Sequence, residues 1–296
     1  MKPAPFELHR PDELEEVLAL LGELGDDARI LAGGQSLVPL LNFRLSRPAH
    51  LVDINRIGSL ERVEESGGGL ALGATARQRQ VERNPVSRET CPLLADALPF
   101  VGHAQIRNRG TVVGSVAHAD PAAEIPAVAL ALDARIVCRS ATGEREIGAA
   151  EFFLGVFTTA LRADEMVARV VFPALTGATG AAFLELSRRQ GDFALVGVGA
   201  SITLSEENLV SDARLACSGV GPTPMRCPRA EAALRGSSLA GLDEAASLVA
   251  EEIDPPDDLH APAGYRRHVA TVLARRALES AAERAAESLV RRRPIS

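Results

Sequence analysis

Apolar residues in the opening stretch fall on one helical face. Leu14, Val17, Leu18 and Leu21 recur at that spacing and predict a helix over residues 11–24, with Asp12 placed to cap it. A short strand over 29–31, a glycine-containing loop, an apolar helix over 37–45 and a strand over 50–54 complete a small α/β lobe. The pattern then changes period. Strand-like runs at 60–64 and 70–76 flank Ser66, Gly67, Gly68 and Gly69, which predicts a hairpin. Helices follow over 78–83, 93–104 and 122–132. Strands are expected at 135–139 and 166–172, the latter stopped by Pro173. Residues 175–180 have linker composition. Beyond them come strands over 182–188, 194–204 and 213–219, then helices over 229–234, 243–252 and 265–291. The last helix carries an apolar stripe at Val269, Val272, Leu273 and Ala277. Strands followed by helices indicate an α+β domain.

The chain has 296 residues, of which 46% are apolar, enough for two domains with real cores. Its net charge of −7 argues against a nucleic-acid surface, and Arg291, Arg292 and Arg293 read as a solvated end. No run is long and apolar enough for a membrane helix, and the first residues lack the apolar core of a signal peptide, so a cytoplasmic protein is expected. Cys91, Cys138, Cys217 and Cys227 are scattered with no C-x-x-C pair. They read as buried free thiols, and no metal site is expected on this chain.

Two segments carry candidate chemistry. Ala32, Gly33, Gly34, Gln35 and Ser36 sit between a strand and a helix that opens at Leu37. Thr111, Val112, Val113, Gly114 and Ser115 lie about eighty residues on. A dinucleotide pyrophosphate can be held by converging backbone N–H groups, and small residues let the backbone approach it. Either segment alone is more often a tight turn. A competing dinucleotide fingerprint at Gly67, Gly69 and Gly73 lies inside the predicted hairpin, where no helix opens.

Four stretches together resemble the FAD-binding medium subunits of the xanthine dehydrogenase / carbon monoxide dehydrogenase family of molybdenum hydroxylases. They are residues 1–11, 31–39 (LAGGQSLVP) with 51–54 (LVDI), 106–126 (with IRNRGT and HADPAAEIP), and 265–278 (with YRRH and RRAL). The resemblance implies an α+β protein. A two-lobed PCMH/VAO-type FAD-binding domain over 1–176, with lobes of about 1–57 and 58–176, precedes an α+β domain of the carbon monoxide dehydrogenase flavoprotein C-terminal type over 181–290. It also implies that both segments contact the FAD pyrophosphate, that Glu124 faces the adenosine side, and that Val101 lines the cofactor. Phe193, with Asp192 beside it, would cover the isoalloxazine. The second segment usually reads T-[IV]-G-G-[NS], and Val113 stands in place of its first glycine. A β-branched residue resists positive φ, so that position is expected to keep φ negative.

By the same resemblance the chain relays electrons. A large molybdenum-cofactor subunit oxidises the substrate and a small [2Fe–2S] subunit carries the electrons to FAD on this chain. The assembly is expected to be a dimer of heterotrimers. An alternative is a stand-alone flavoenzyme, for which His103, His118 and Asp120 are the candidate bases. Another is a scaffold that has lost FAD, with Val113 as its only support.

Overall fold

A computed structural model describes residues 2–292, so Met1 and Arg293 of the segments named above lie outside the described residues. The first lobe runs β1 (Glu7–His9), α1 (Leu14–Leu24), β2 (Ala28–Leu31), α2 (Leu37–Asn42) and β3 (His50–Asp53). Its three strands form a parallel sheet in the order β1-β3-β2. Helix α1 buries Leu14, Val17, Leu18 and Leu21, the face given by their spacing. Asp12 does not cap it. Glu13 occupies the cap position without a side-chain bond, and the Asp12 N–H instead donates to Glu16 Oε2 at 3.2 Å. Helix α2 ends three residues earlier than its apolar run, because Arg44 turns the chain at φ 58°.

The second lobe begins with the predicted hairpin, β4 (Val63–Ser66) and β5 (Gly69–Gly73). Its two-residue turn places Gly67 and Gly68 at φ 61° and 77°, conformations that cost glycine little. Helices α3 (Gln78–Arg83), α4 (Pro85–Thr90), α5 (Pro92–Ala97), α6 (Ala104–Arg107), α7 (Val112–His118) and α8 (Glu124–Ala131) follow. The expected helix over 93–104 is broken at Leu98–Phe100, where Pro99 enters, and by Gly102 at φ 49°. Then come β6 (Arg135–Ser140), β7 (Gly143–Gly148), α9 (Ala149–Phe152), the small pair β8 (Phe153–Gly155) and β9 (Thr158–Thr159), and β10 (Met166–Pro173). These build an antiparallel sheet in the order β4-β5-β10-β6-β7. Strand β10 continues through Pro173, which pairs with Gly69 at the strand end, so the proline does not stop it. One apolar core runs through both lobes and reaches Ala181, Phe183 and Ala216 beyond them.

The last third forms a four-stranded antiparallel sheet from β11 (Ala178–Leu186), β12 (Val196–Leu204), β13 (Val210–Ser218) and β14 (Met225–Arg226). Helices α10 (Pro228–Leu234), α11 (Leu242–Glu252) and α12 (Ala263–Arg292) pack with it around a second core. The expected linker is partly strand. Gly180 lies within β11, and a Cβ there would meet the α12 backbone at Ala281 O at 2.1 Å, so this glycine permits close strand–helix packing. Val269, Leu273 and Ala277 are buried as the stripe predicts, whereas Val272 is only half-buried. Among the described residues no helix is long and apolar enough to cross a membrane, and all four cysteines are free and buried.

Buried Arg266 ties α12 to this sheet. Its Nη1 donates to Leu195 O at 2.6 Å and Gly219 O at 3.1 Å, and its Nη2 to Asp258 Oδ2 at 2.7 Å. Burial pushes the Asp258 carboxyl up. The Ala261 and His260 N–H groups and the Arg266 guanidinium outweigh it, leaving the pKa at about 2.

Candidate functional site

A cavity of about 590 Å³ opens between the two lobes and the C-terminal sheet, within the roughly 300–1,000 Å³ typical of small-molecule sites. The first lobe supplies Ala32, Gly33, Gly34, Gln35, Ser36 and Leu37. The second supplies Val101, Thr111, Val113, Gly114, Ser115 and Glu124. The C-terminal domain supplies Asp192 and Phe193. Of the fifteen residues assigned to the cofactor from the sequence, only Val112 does not line the cavity. Its side chain is fully buried in the core and its N–H donates to Ala76 O at 3.2 Å.

The first segment leaves β2 and turns sharply. Gly34 sits at φ 73°, and the Gln35 side chain donates back to Gly33 O at 3.0 Å. The N–H groups of Gly33, Gly34, Gln35 and Ser36 have no acceptor among the described residues. Gly33 lies against the approach to the second segment. A Cβ on it would meet Arg109 O at 2.5 Å and Gly110 Cα at 2.8 Å. The first segment therefore touches, backbone to backbone, the two residues that lead into the second, which only glycine allows.

The second segment is not a loop. It is the first turn and more of α7, with Thr111 as its cap, and the Thr111 hydroxyl accepts from the Gly114 N–H at 3.0 Å. A Cβ on Gly114 would meet that hydroxyl at 2.5 Å. Val113 lies within the helix, is 2% exposed, and is not among the residues at positive φ. The missing family glycine thus leaves no backbone strain.

Asn55 and Arg77, which the sequence reading passed over, join the two segments. Asn55 Nδ2 donates to Ala32 O at 2.9 Å, Arg77 Nη2 donates to Asn55 Oδ1 at 2.5 Å, and Arg77 Nη1 donates to Arg109 O at 2.6 Å. Burial, and then the charge of Arg109, lower the Arg77 pKa from its ordinary value. Gln78 also lines the cavity. Its N–H donates to Gly110 O at 2.9 Å, and its buried Oε1 has no partner among the described residues. These residues had no motif to mark them, since each acts across a sequence separation of more than twenty positions.

Glu124 and Glu165 line the cavity, and Glu185 lies behind it, close enough to Glu124 to feel its charge. Glu124, at the start of α8, is buried, and desolvation first, then the charge of Asp120, holds its pKa above the ordinary carboxylate value. Glu185 on β11 is likewise raised, by burial and then by the charge of Glu124, and its buried Oε2 has no partner among the described residues. Glu165 behaves oppositely. Arg145 donates to both its oxygens, at 2.6 and 2.7 Å, and these bonds lower its pKa.

Among the candidate bases, His118 and Asp120 line the cavity and His103 does not. Burial lowers the His118 pKa despite Asp120, and its ring stands 4.9 Å from that of Phe157. His103 instead packs under Gly191, where a Cβ would meet its ring at 2.5 Å. That contact brings the turn carrying Asp192 and the 60% exposed Phe193 back onto the second lobe.

The cavity suits a dinucleotide. Free N–H groups stand where two glycine-bearing backbones meet, and apolar, aromatic and carboxyl groups extend on either side. Comparison with known proteins agrees. Residues 4–175 match the family described as FAD binding domain in molybdopterin dehydrogenase, and residues 181–281 match the CO dehydrogenase flavoprotein C-terminal domain. The chain is 43% identical to the 6-hydroxypseudooxynicotine dehydrogenase complex subunit alpha of Paenarthrobacter nicotinovorans, over 96% of this chain and 97% of that one. It is 36% identical to the carbon monoxide dehydrogenase medium chain of Hydrogenophaga pseudoflava, over 97% and 100%. A carbon monoxide dehydrogenase structure from H. pseudoflava superposes with a TM-score of 0.92 at 37% identity, over 96% of this chain and 99% of that one. Quinoline 2-oxidoreductase from Pseudomonas putida 86 gives 0.91 at 35%, over 96% and 99%. The chain belongs to the FAD-binding medium subunits of the molybdenum hydroxylases, a family of oxidoreductases.

Proposed function

We propose that this cavity is the FAD site and that Ala32, Gly33, Gly34, Gln35, Ser36 and Leu37 hold the pyrophosphate together with Thr111, Val113, Gly114 and Ser115. The observation that carries this reading is the direct backbone contact at Gly33, with four N–H groups beside it lacking acceptors. Glu124 would take the adenosine side. Val101 would line the cofactor, and Phe193 with Asp192 would cover the isoalloxazine from the C-terminal turn. Val112 would act through packing, by fixing the first turn of α7 against Ala76. When bound, FAD would accept electrons from a partner's iron–sulfur clusters and pass them to an external acceptor. The chain's own work is to hold and shield the ring. Burial lowers the His118 pKa against the opposing charge of Asp120.

We further infer a two-domain division near residues 176–181, supported by where the two family matches end and begin. The similar proteins are named as chains or subunits of larger dehydrogenases. That supports a large molybdenum-cofactor subunit and a small [2Fe–2S] subunit as partners, assembled as a dimer of heterotrimers, and it speaks against the stand-alone reading. Four buried free thiols fit a reducing, cytoplasmic setting. Reconstitution of the purified chain with FAD tests the site. One flavin per chain is expected, and failure of the folded chain to retain any would overturn the assignment. Co-purification with two further chains and iron–sulfur absorption tests the assembly.

A further inference from the structure

Away from the cavity, three side chains converge on the outer edge of the first lobe. Strand β1 is the edge of the parallel sheet, and Glu7 stands opposite His50 of β3 in register. Glu7 and His9, two residues apart on one strand, project to the same face. His9 Nε2 lies 3.1 Å from His50 Nδ1. Glu7 Oε1 lies 3.9 Å from the first nitrogen and Glu7 Oε2 lies 3.7 Å from the second. One ligand atom from each residue lies within 4.8 Å of the others. We propose that Glu7, His9 and His50 form a binding site for a zinc-class divalent transition-metal ion, with water completing the coordination.

Without metal, the 3.1 Å N···N approach is a hydrogen bond between the two imidazoles, and a bound ion would replace that shared proton. Two imidazole nitrogens bound tetrahedrally to zinc at about 2.0–2.1 Å stand roughly 3.3 Å apart, close to the separation found here. The carboxylate sits slightly long, and its 67% exposed side chain is free to swing inward. The histidine side chains are 20% and 23% exposed, which leaves an open side for entry and for water. Two imidazoles and a carboxylate suit zinc and its neighbours better than magnesium or calcium, which prefer all-oxygen sites. The cysteine spacing gave no hint of this, because the two histidines lie 41 positions apart and only the parallel pairing joins them. A bound ion would clamp edge strand β1 to β3, the central strand, which also pairs with the strand leading into Ala32.

The test is calorimetric titration of the metal-stripped full-length chain with Zn²⁺. One site per chain is expected. His9→Ala and His50→Ala should each weaken binding by at least the roughly 10-fold that losing an outer-shell partner costs, and Glu7→Gln by less. His9→Gln and His50→Gln serve if the alanine variants fail to fold. Cu²⁺ in place of Zn²⁺ should show, by electron paramagnetic resonance, splitting from two imidazole nitrogens in the parent and one in either histidine variant. Absence of a single-site Zn²⁺ isotherm in the parent overturns the proposal, as does undiminished binding in folded histidine variants. Flavin content should be unchanged throughout.

Discussion

The two glycine-bearing segments that meet at the cavity reach the same place by different means. The first is set by the backbone. Gly34 adopts a conformation other residues resist, and Gly33 lies where no Cβ fits against Arg109 and Gly110. The second is set by a side chain, because Thr111 caps a helix and Gly114 leaves room for that cap. One segment needs its glycines for shape and contact. The other tolerates valine at one of its two expected glycines, because a helix places that residue at negative φ in the core. Glycine in a binding motif therefore has no single meaning, and the local backbone decides which glycine is replaceable.

Substitutions can pull this contrast apart. Gly33→Val should have the largest effect. Overpacking against a neighbouring backbone costs about 3 kcal/mol, and prying the segments apart should lower FAD affinity at least about tenfold, equivalent to roughly 1.4 kcal/mol. The flavin-to-protein absorbance ratio and a denaturation curve measure both. Val113→Gly, which restores the usual family residue, should do the opposite of a repair. It removes a buried side chain and loosens a helix, at about 2 kcal/mol of stability, without tightening FAD. Tighter flavin binding in that variant would show that Val113 impairs the site. Thr111→Val should cost about 1 kcal/mol through loss of the cap, while Thr111→Ser keeps it.

The smallest effect concerns pH. Glu124 and Glu185 are held above the ordinary carboxylate range, by burial first. The folded chain therefore keeps protons that the unfolded chain releases. Stability should fall as pH rises from the ordinary carboxylate range through the raised values. Urea midpoints at about pH 5 and about pH 8 should differ in that direction, and Glu185→Gln should narrow the gap. An unchanged gap would remove the buried pair from the account.

Much of the fold was legible in the sequence, because burial wrote its period into the chain. The apolar face of α1, the Gly67-Gly68 hairpin, α3 and the three long C-terminal strands follow directly from spacing. Edges were less legible. Strand β7 buries only Ile147, so its charged residues carry no alternating apolar signal. Strand β1 has no buried residue. Helix α4 begins at a proline and exposes much of its length, which hides it among turns. At the site, the glycine segments stood out by composition. Asn55, Arg77 and Gln78 did not, because a hydrogen bond across twenty or more residues leaves no local trace. The helical character of the second segment was hidden by its small residues, which read equally as a turn.

The turn at Gly191 has a consequence for how the protein is made. It places Asp192 and Phe193 at the cavity rim, and its base at Leu195 is held by Arg266 of the final helix. During synthesis the N-terminal portion folds first, yet at that stage one wall of its cavity is missing. The bond that Arg266 makes to the base of that turn forms only after the ribosome has released the segment containing it. A chain terminated before residue 191 would carry both glycine segments and lack the turn that closes this side of the cavity.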